Sequence, residues 1–221
     1  MKIRKRFGQE LEDLKIEVLR MAALTERSLD KSLRALFERN SDLAEEVIVE
    51  DQEIDLLEVD IDKRCLRLFA LEQPMARDLR FIIGCMRVCT NLERIADQAV
   101  NISERALYLN QRPPLPHQPL MEQLASISMA MLKGATSAFN NGHTSQASEV
   151  CQMDDRADEL NLQILKHFID YIIAEVESAD LAVNTIIISR CLERCADLAT
   201  NVAEAVDFIV EGVDIKHYCQ P

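Results

Sequence analysis

The stretch Glu93-Arg-Ile-Ala-Asp97-Gln-Ala-Val-Asn101-Ile-Ser-Glu104 decides the fold, because the chain contains it twice. It returns as Glu193-Arg-Cys-Ala-Asp197-Leu-Ala-Thr-Asn201-Val-Ala-Glu204, with all four oxygen-bearing positions in register. At about 100° per helical residue, Glu93, Asp97, Asn101 and Glu104 fall within an arc of roughly 80°, opposite Ile95, Ala99, Ile102 and Ala106. Each copy therefore reads as a helix with one apolar face and one narrow acidic stripe. A solvated helix face is the ordinary meaning of such a stripe, but its repetition in register argues for a shared task.

Working outward, five glycines and six prolines in 221 residues leave little room for a turn-rich β fold. Long segments instead place apolar residues at i, i+3, i+4 and i+7. The spacing predicts a first helix from about Phe7 to Arg39, with Leu11, Leu14, Val18, Met21, Leu29, Leu33 and Leu36 on its apolar face. Asn40-Ser41-Asp42 interrupts it, and Asp42 with Glu45 reads as the capping pair of a second helix running to about Leu71. That helix stops at Gln73-Pro74, and a third is predicted from about Met75 to Leu109. Residues 110–119 then hold four of the six prolines and cannot be helical. A shorter fourth helix follows, from about Leu120 to Asn140.

From there the pattern repeats. Ala35–Val47 aligns with Ala138–Val150, and Asp51 and Asp55 align with Asp154 and Asp158 at the same offset. The expectation is an all-α fold of six long helices, arranged as tandem duplicated three-helix bundles. The bundles span 1–110 and 120–212, a proline-rich connector spans 111–119, and 213–221 form a tail. The connector is expected to be stiff and to hold the bundles at a fixed separation.

Charge and composition exclude several functions. A net charge of −13 argues against nucleic acid as a partner and fits cations or basic protein surfaces. Glu10, Glu12 and Asp13 follow the basic start directly, so no export signal is expected, and no apolar run approaches the ~20 residues of a membrane span. A cytoplasmic protein is expected. Cys85 and Cys89, like Cys191 and Cys195, have helical spacing within apolar patterns, which reads as buried reduced thiols. His117, His143, His167 and His217 lie far apart in sequence. There is no glycine-rich phosphate loop and no nucleophile–base spacing, so no enzyme is expected.

The chemistry lies in the carboxylates. The second helix carries Asp51, Asp55, Glu58 and Asp62 on one side, within about 60° of arc. The short turn after it makes helices two and three antiparallel. With that turn centred at Pro74, Asp55 faces Glu93 and Asp51 faces Asp97. In the second copy, Asp158 faces Glu193 and Asp154 faces Asp197 about a centre between Glu175 and Val176. Two independent hairpins thus predict the same four carboxylates at one level. Such crowding is costly unless some groups hold protons or cations bind there. An all-oxygen donor set, with no Glu-x-x-His anywhere in the chain, favours Mg²⁺, Mn²⁺ or Ca²⁺, with iron compatible. The candidate metal residues are Asp51, Asp55, Glu93, Asp97, Asn101, Glu104, Asp154, Asp158, Glu193, Asp197, Asn201 and Glu204. The competing account has Arg94 and Arg194 neutralising Asp97 and Asp197, although one arginine does not balance four carboxylates.

Leu92-Glu-Arg-Ile-Ala-Asp97 with Asn101 and Glu104, its repeat, and the Asp51/Asp55 and Asp154/Asp158 pairs together resemble the paired signature of the PhoU family. The resemblance runs from about Phe7 to Gly212. It differs from the family pattern in having Ala96 and Ala196 where glycine is usual, and Cys195 where isoleucine is usual. Glu58 has no acidic counterpart, since Asn161 stands in its place. The resemblance implies two helical bundles binding multinuclear metal clusters, iron or zinc in some relatives. It further implies a negative regulator of the phosphate-starvation response that links the ATPase subunit of a phosphate ABC transporter to a sensor histidine kinase. Such a protein would sit at the membrane periphery through its partners, and a homodimer is compatible with it. The alternative is a helical metal-binding or metal-buffering protein that shares only the scaffold.

Overall fold

The computed structural model describes residues 2–115 and 118–212. Six helices follow one another: α1 Lys2–Phe37, α2 Ser41–Glu72, α3 Arg77–Asn110, α4 Pro119–Asn141, α5 Thr144–Ala174 and α6 Ala179–Glu211. No strand occurs among the described residues, and the tandem all-α architecture stands. The tail expected at 213–221, with His217, and His117 in the connector lie outside the described residues.

The helix ends follow local chemistry and correct several expected boundaries. The cap of α2 is Asn40, whose side-chain oxygen accepts from the Leu43 N–H at 3.2 Å, and not Asp42, which sits in the first turn. One residue earlier suffices because Asn caps as well as Asp. Arg39 takes a left-handed conformation (φ 55°), and its guanidinium donates to the carbonyls of Leu109, Asn110 and Arg112. That contact ends α1 at Phe37 and ties the first turn to the end of α3. Gln73 closes α2 with φ 46°, and α3 begins only at Arg77, behind Pro74 and Ala76. Pro119 starts α4, where its missing N–H costs no helical hydrogen bond. A 3₁₀ turn, Val176–Ser178, precedes α6.

Within the first bundle α1, α2 and α3 pack on one another, and α4, α5 and α6 do the same in the second. The bundles also pack directly, through α3 against α6 and α1 against α4. Gly84 and Arg87 near the start of α3 meet Ile209 and Phe208 near the end of α6, so these two helices run antiparallel. Gly84 is what permits the approach, because a Cβ there would overlap the Ile209 side chain. Buried residues from both bundles, from Leu14 to Val206, form one continuous apolar cluster. The expected spacer role of the connector is therefore incorrect. The halves share a core, and Arg112 stacks on the Tyr108 ring while the Tyr108 hydroxyl donates to Asp180 of α6 at 2.6 Å.

The thiols behave as expected of small hydrophobes. Cys65, Cys85, Cys89, Cys191 and Cys195 are buried and unbridged. Burial pushes Cys65 up to about 12 and Cys191 to about 11, which disfavours the thiolate needed by a soft metal.

Candidate metal centres

Each carboxylate site is built on the hairpin that joins the second and third helices of its bundle. In the first, Ile54, Leu57 and Ile61 of α2 and Leu92, Ile95 and Ala96 of α3 face the core. Their burial turns Asp51, Asp55, Glu58, Glu93 and Asp97 to the outer seam between the helices. The predicted facing pairs interact: the charges of both Asp55 and Asp97 act on Asp51, and the charge of Asp55 acts on Glu93. Asp51 is pushed up to about 6, mainly by burial and then by Asp55 and Asp97. Its Oδ1 is buried and has no hydrogen-bond partner. Glu93 is pushed up to about 7 by burial, Asp97, Glu58 and Asp55, with Arg94 opposing. Asp97 is also raised, by burial and then Asp55. Glu58 is raised by burial, while a hydrogen bond from Thr90 and the charge of Arg94 pull it back.

The second site repeats the arrangement more tightly. Carboxylate oxygens of Asp158, Glu193 and Asp197 lie within 4.8 Å of one another, and no other such trio closes to that separation among the described residues. Asp154 is pushed up to about 6 by burial, Asp197 and Asp158, with the Thr200 hydroxyl, 3.4 Å from its Oδ1, opposing. Asp158 is raised by burial, Asp197 and Asp155. Glu193 is raised by burial, Asp197 and Asp158, against Arg190 and Arg194. Arg194 pairs with Asp197 at 3.0 Å, so the neutralising arginine exists here, one against four carboxylates.

The structure therefore brings together Asp51, Asp55, Glu93 and Asp97, and likewise Asp154, Asp158, Glu193 and Asp197. The rest of the stripe has other surroundings. Asn101 donates its amide to the Asp97 backbone carbonyl at 2.8 Å, and Glu104 is exposed. Asn201 and Glu204 instead line a groove of about 370 Å³ against Thr90, Asn91 and Arg94 of the other bundle. The angular argument neglected height: at 1.5 Å per residue, Glu104 lies roughly 16 Å along the helix from Glu93. Reasoning from facing pairs also passed over Thr90, Thr200 and Ser189, polar residues on the third helix of each bundle that reach across to the second. Their signal was a hydroxyl one turn from a stripe carboxylate, on the acidic side of the same helix.

Chemically, each site offers four or more oxygen donors, several of which resist ionisation without a countercharge. Asp51 Oδ1 is the most telling atom, since a buried acceptor without a donor is costly. A hard cation fits this donor set in number and kind.

Comparison with known proteins agrees with the duplication. The model of the PhoU domain matches twice, at residues 18–106 and 121–206. A phosphate-specific transport system accessory protein PhoU homolog of Aquifex aeolicus is 40% identical over 209 residues, covering 95% of each chain. A homolog from Caulobacter vibrioides is 30% identical over 212 residues, covering 96% of this chain and 92% of its own. The crystal structure of PhoU from Pseudomonas aeruginosa superposes with a TM-score of 0.91 at 32% identity, covering 94% of this chain and all of that one. A phosphate transport system regulatory protein PhoU from Streptococcus pneumoniae gives 0.87 at 29% identity, over 94% and 98% of the two chains. Two matched domains, relatives 30–40% identical over nearly the full length and one shared fold lead to the same conclusion: the chain is a member of the PhoU family.

Proposed function

We propose that this chain is a negative regulator of the phosphate-starvation response that works by contact, not catalysis. It links the ATPase subunit of a phosphate ABC transporter to a sensor histidine kinase, and its two carboxylate sites hold divalent or multinuclear metal. The duplicated carboxylate site on this scaffold carries the reading. Its support outside the site is the kinship with phosphate-specific transport system accessory proteins. An adaptor also suits a chain in which no described helix is long and apolar enough to cross a membrane, and which would act in the cytoplasm beside membrane partners.

In the metal sites, Asp51, Asp55, Glu93 and Asp97, and their counterparts Asp154, Asp158, Glu193 and Asp197, supply the ligands. Bound cations displace the protons that Asp51, Glu93 and Asp154 otherwise retain, so affinity falls with acid. The oxygen donors suit Mg²⁺, Mn²⁺ or Ca²⁺, with iron also accommodated and zinc less well matched. Deleting the gene is expected to switch phosphate-starvation genes on in rich phosphate, and pull-downs from membranes should recover the transporter ATPase or the kinase. Normal repression with neither partner recovered rejects the adaptor role.

A further inference from the structure

The groove between the bundles, where Asn201 and Glu204 of α6 stand against Arg87 and Arg94 of α3, differs in charge from the rest of the chain. Two guanidiniums and one carboxylate leave it positive, in a chain that carries −13. The third helices of the two bundles match at an offset of one hundred residues, so each groove residue has a counterpart across the α3–α6 contact. The counterparts are differently engaged. Arg194 pairs with Asp197 at 3.0 Å, and Asn101 donates to the Asp97 carbonyl at 2.8 Å. Arg94 and the Asn201 amide, by contrast, make no hydrogen bond or ion pair with a described residue.

The open space is also particular to this side. Ala205 in the groove wall has Arg105 as its counterpart. Arg105 has a buried Nε, and its charge reaches Cys191, which is the counterpart of Asn91 in the groove. A long side chain thus takes up on one side the room that Ala205 leaves on the other. The ordinary account of Arg94 is that it neutralises the first carboxylate site. Its charge does act on Glu58 and Glu93, yet it bonds to neither.

We propose that this groove binds inorganic phosphate in a form that keeps a proton. Arg94 and Asn201 donate to its oxygens, and Arg87, held 4.2 Å above the Phe208 ring, supplies the second guanidinium. Donors drawn from two facing helices serve a tetrahedral ion, whose oxygens point four ways, better than a planar carboxylate. Glu204 decides which tetrahedral ion enters. An ionised carboxylate only accepts hydrogen bonds, so it repels sulfate, which has no proton at neutral pH. Phosphate keeps at least one proton there and can donate it to Glu204. A phosphate ester has mostly lost its last proton at neutral pH, so the groove favours the free ion over an esterified one. The site needs neither a metal nor a partner protein.

Calorimetric titration of the full chain, stripped of metal on a chelating resin and held at constant ionic strength and neutral pH, tests this. Stripping the metal keeps the result independent of whether the carboxylate sites bind cations. One phosphate per chain is expected, with sulfate and methyl phosphate each about tenfold weaker or more. Arg94→Gln, a change at an exposed position, should weaken phosphate about tenfold with helical circular dichroism unchanged. Ala205→Arg, which gives this side the arrangement of the other, should abolish binding. Glu204→Gln should let sulfate bind about as well as phosphate. Absence of phosphate binding overturns the proposal, as does sulfate or methyl phosphate binding the parent chain as tightly as phosphate. Phosphate binding indifferent to both Arg94→Gln and Ala205→Arg overturns it too.

Discussion

Ser189 of α6 donates to the side-chain oxygen of Asn161 on α5 at 3.0 Å. Asn161 stands where the first bundle has Glu58, which Thr90 holds instead. The two sites are thus built alike but charged differently, with a neutral amide at one corner of the second. Asn161→Glu is expected to lower the melting temperature in chelator by adding a fifth like charge. With metal supplied, it should raise the ion content of the second site. Calorimetry with elemental analysis checks both.

The raised carboxylates make the metal-free protein sensitive to pH. Asp51 and Asp154 ionise near 6 and Glu93 near 7, against about 4 in an unfolded chain. A raised carboxylate binds its proton more tightly when folded, so its stabilising contribution is full below pH 4 and is lost as pH rises through 6 to 7. Chelated protein should accordingly melt higher at pH 5.5 than at pH 8. Saturating metal should reduce or reverse that slope, because cations compete with those protons. Melting curves at both pH values, with and without chelator, decide it.

Replacing Asp97 and Asp197 together by alanine removes one carboxylate from each site. Bound metal should drop in elemental analysis. The variant should melt higher than the parent without metal and lower with it, because ligand binding stabilises only the folded form. A melting temperature unchanged under both conditions would reduce the sites to solvated grooves.

At the interface between the bundles, Gly84→Leu drives a side chain into Ile209. A loss of roughly 1–3 kcal/mol is expected, the usual cost of overpacking. Denaturant unfolding should show it as a single transition moved to lower concentration, because the bundles share a core.

Gln73 holds a left-handed conformation at the end of α2 with φ 46°. Glycine adopts that geometry without a Cβ clash, so Gln73→Gly should stabilise by roughly 0.5–1 kcal/mol. Thermal melting measures the gain.

Most of the fold was legible because long amphipathic helices state their own period, and because the repeat states it twice. The facing of Asp55 with Glu93 and of Asp158 with Glu193 followed from hairpin geometry alone. The packing of the bundles on each other was not legible, since residues such as Ala99 and Ala199 read equally well as facing a neighbour helix in either bundle. Glu104 was placed in the first site by angle, whereas about 16 Å of rise along the axis separates it from Glu93. Thr200, Thr90 and Ser189 escaped because facing partners were sought among carboxylates alone.

The shared apolar cluster across α3 and α6 has a consequence for heredity as well as for packing. A chain cut within residues 111–118 would yield two pieces that each expose half of one core. Each piece is then the other's best available partner, so two separate genes encoding 1–112 and 118–221 should complement one another. Duplication and fusion of an ancestral hairpin-bearing unit would have turned such an encounter between two molecules into a contact within one, and freed the halves to diverge, as Glu58 and Asn161 have.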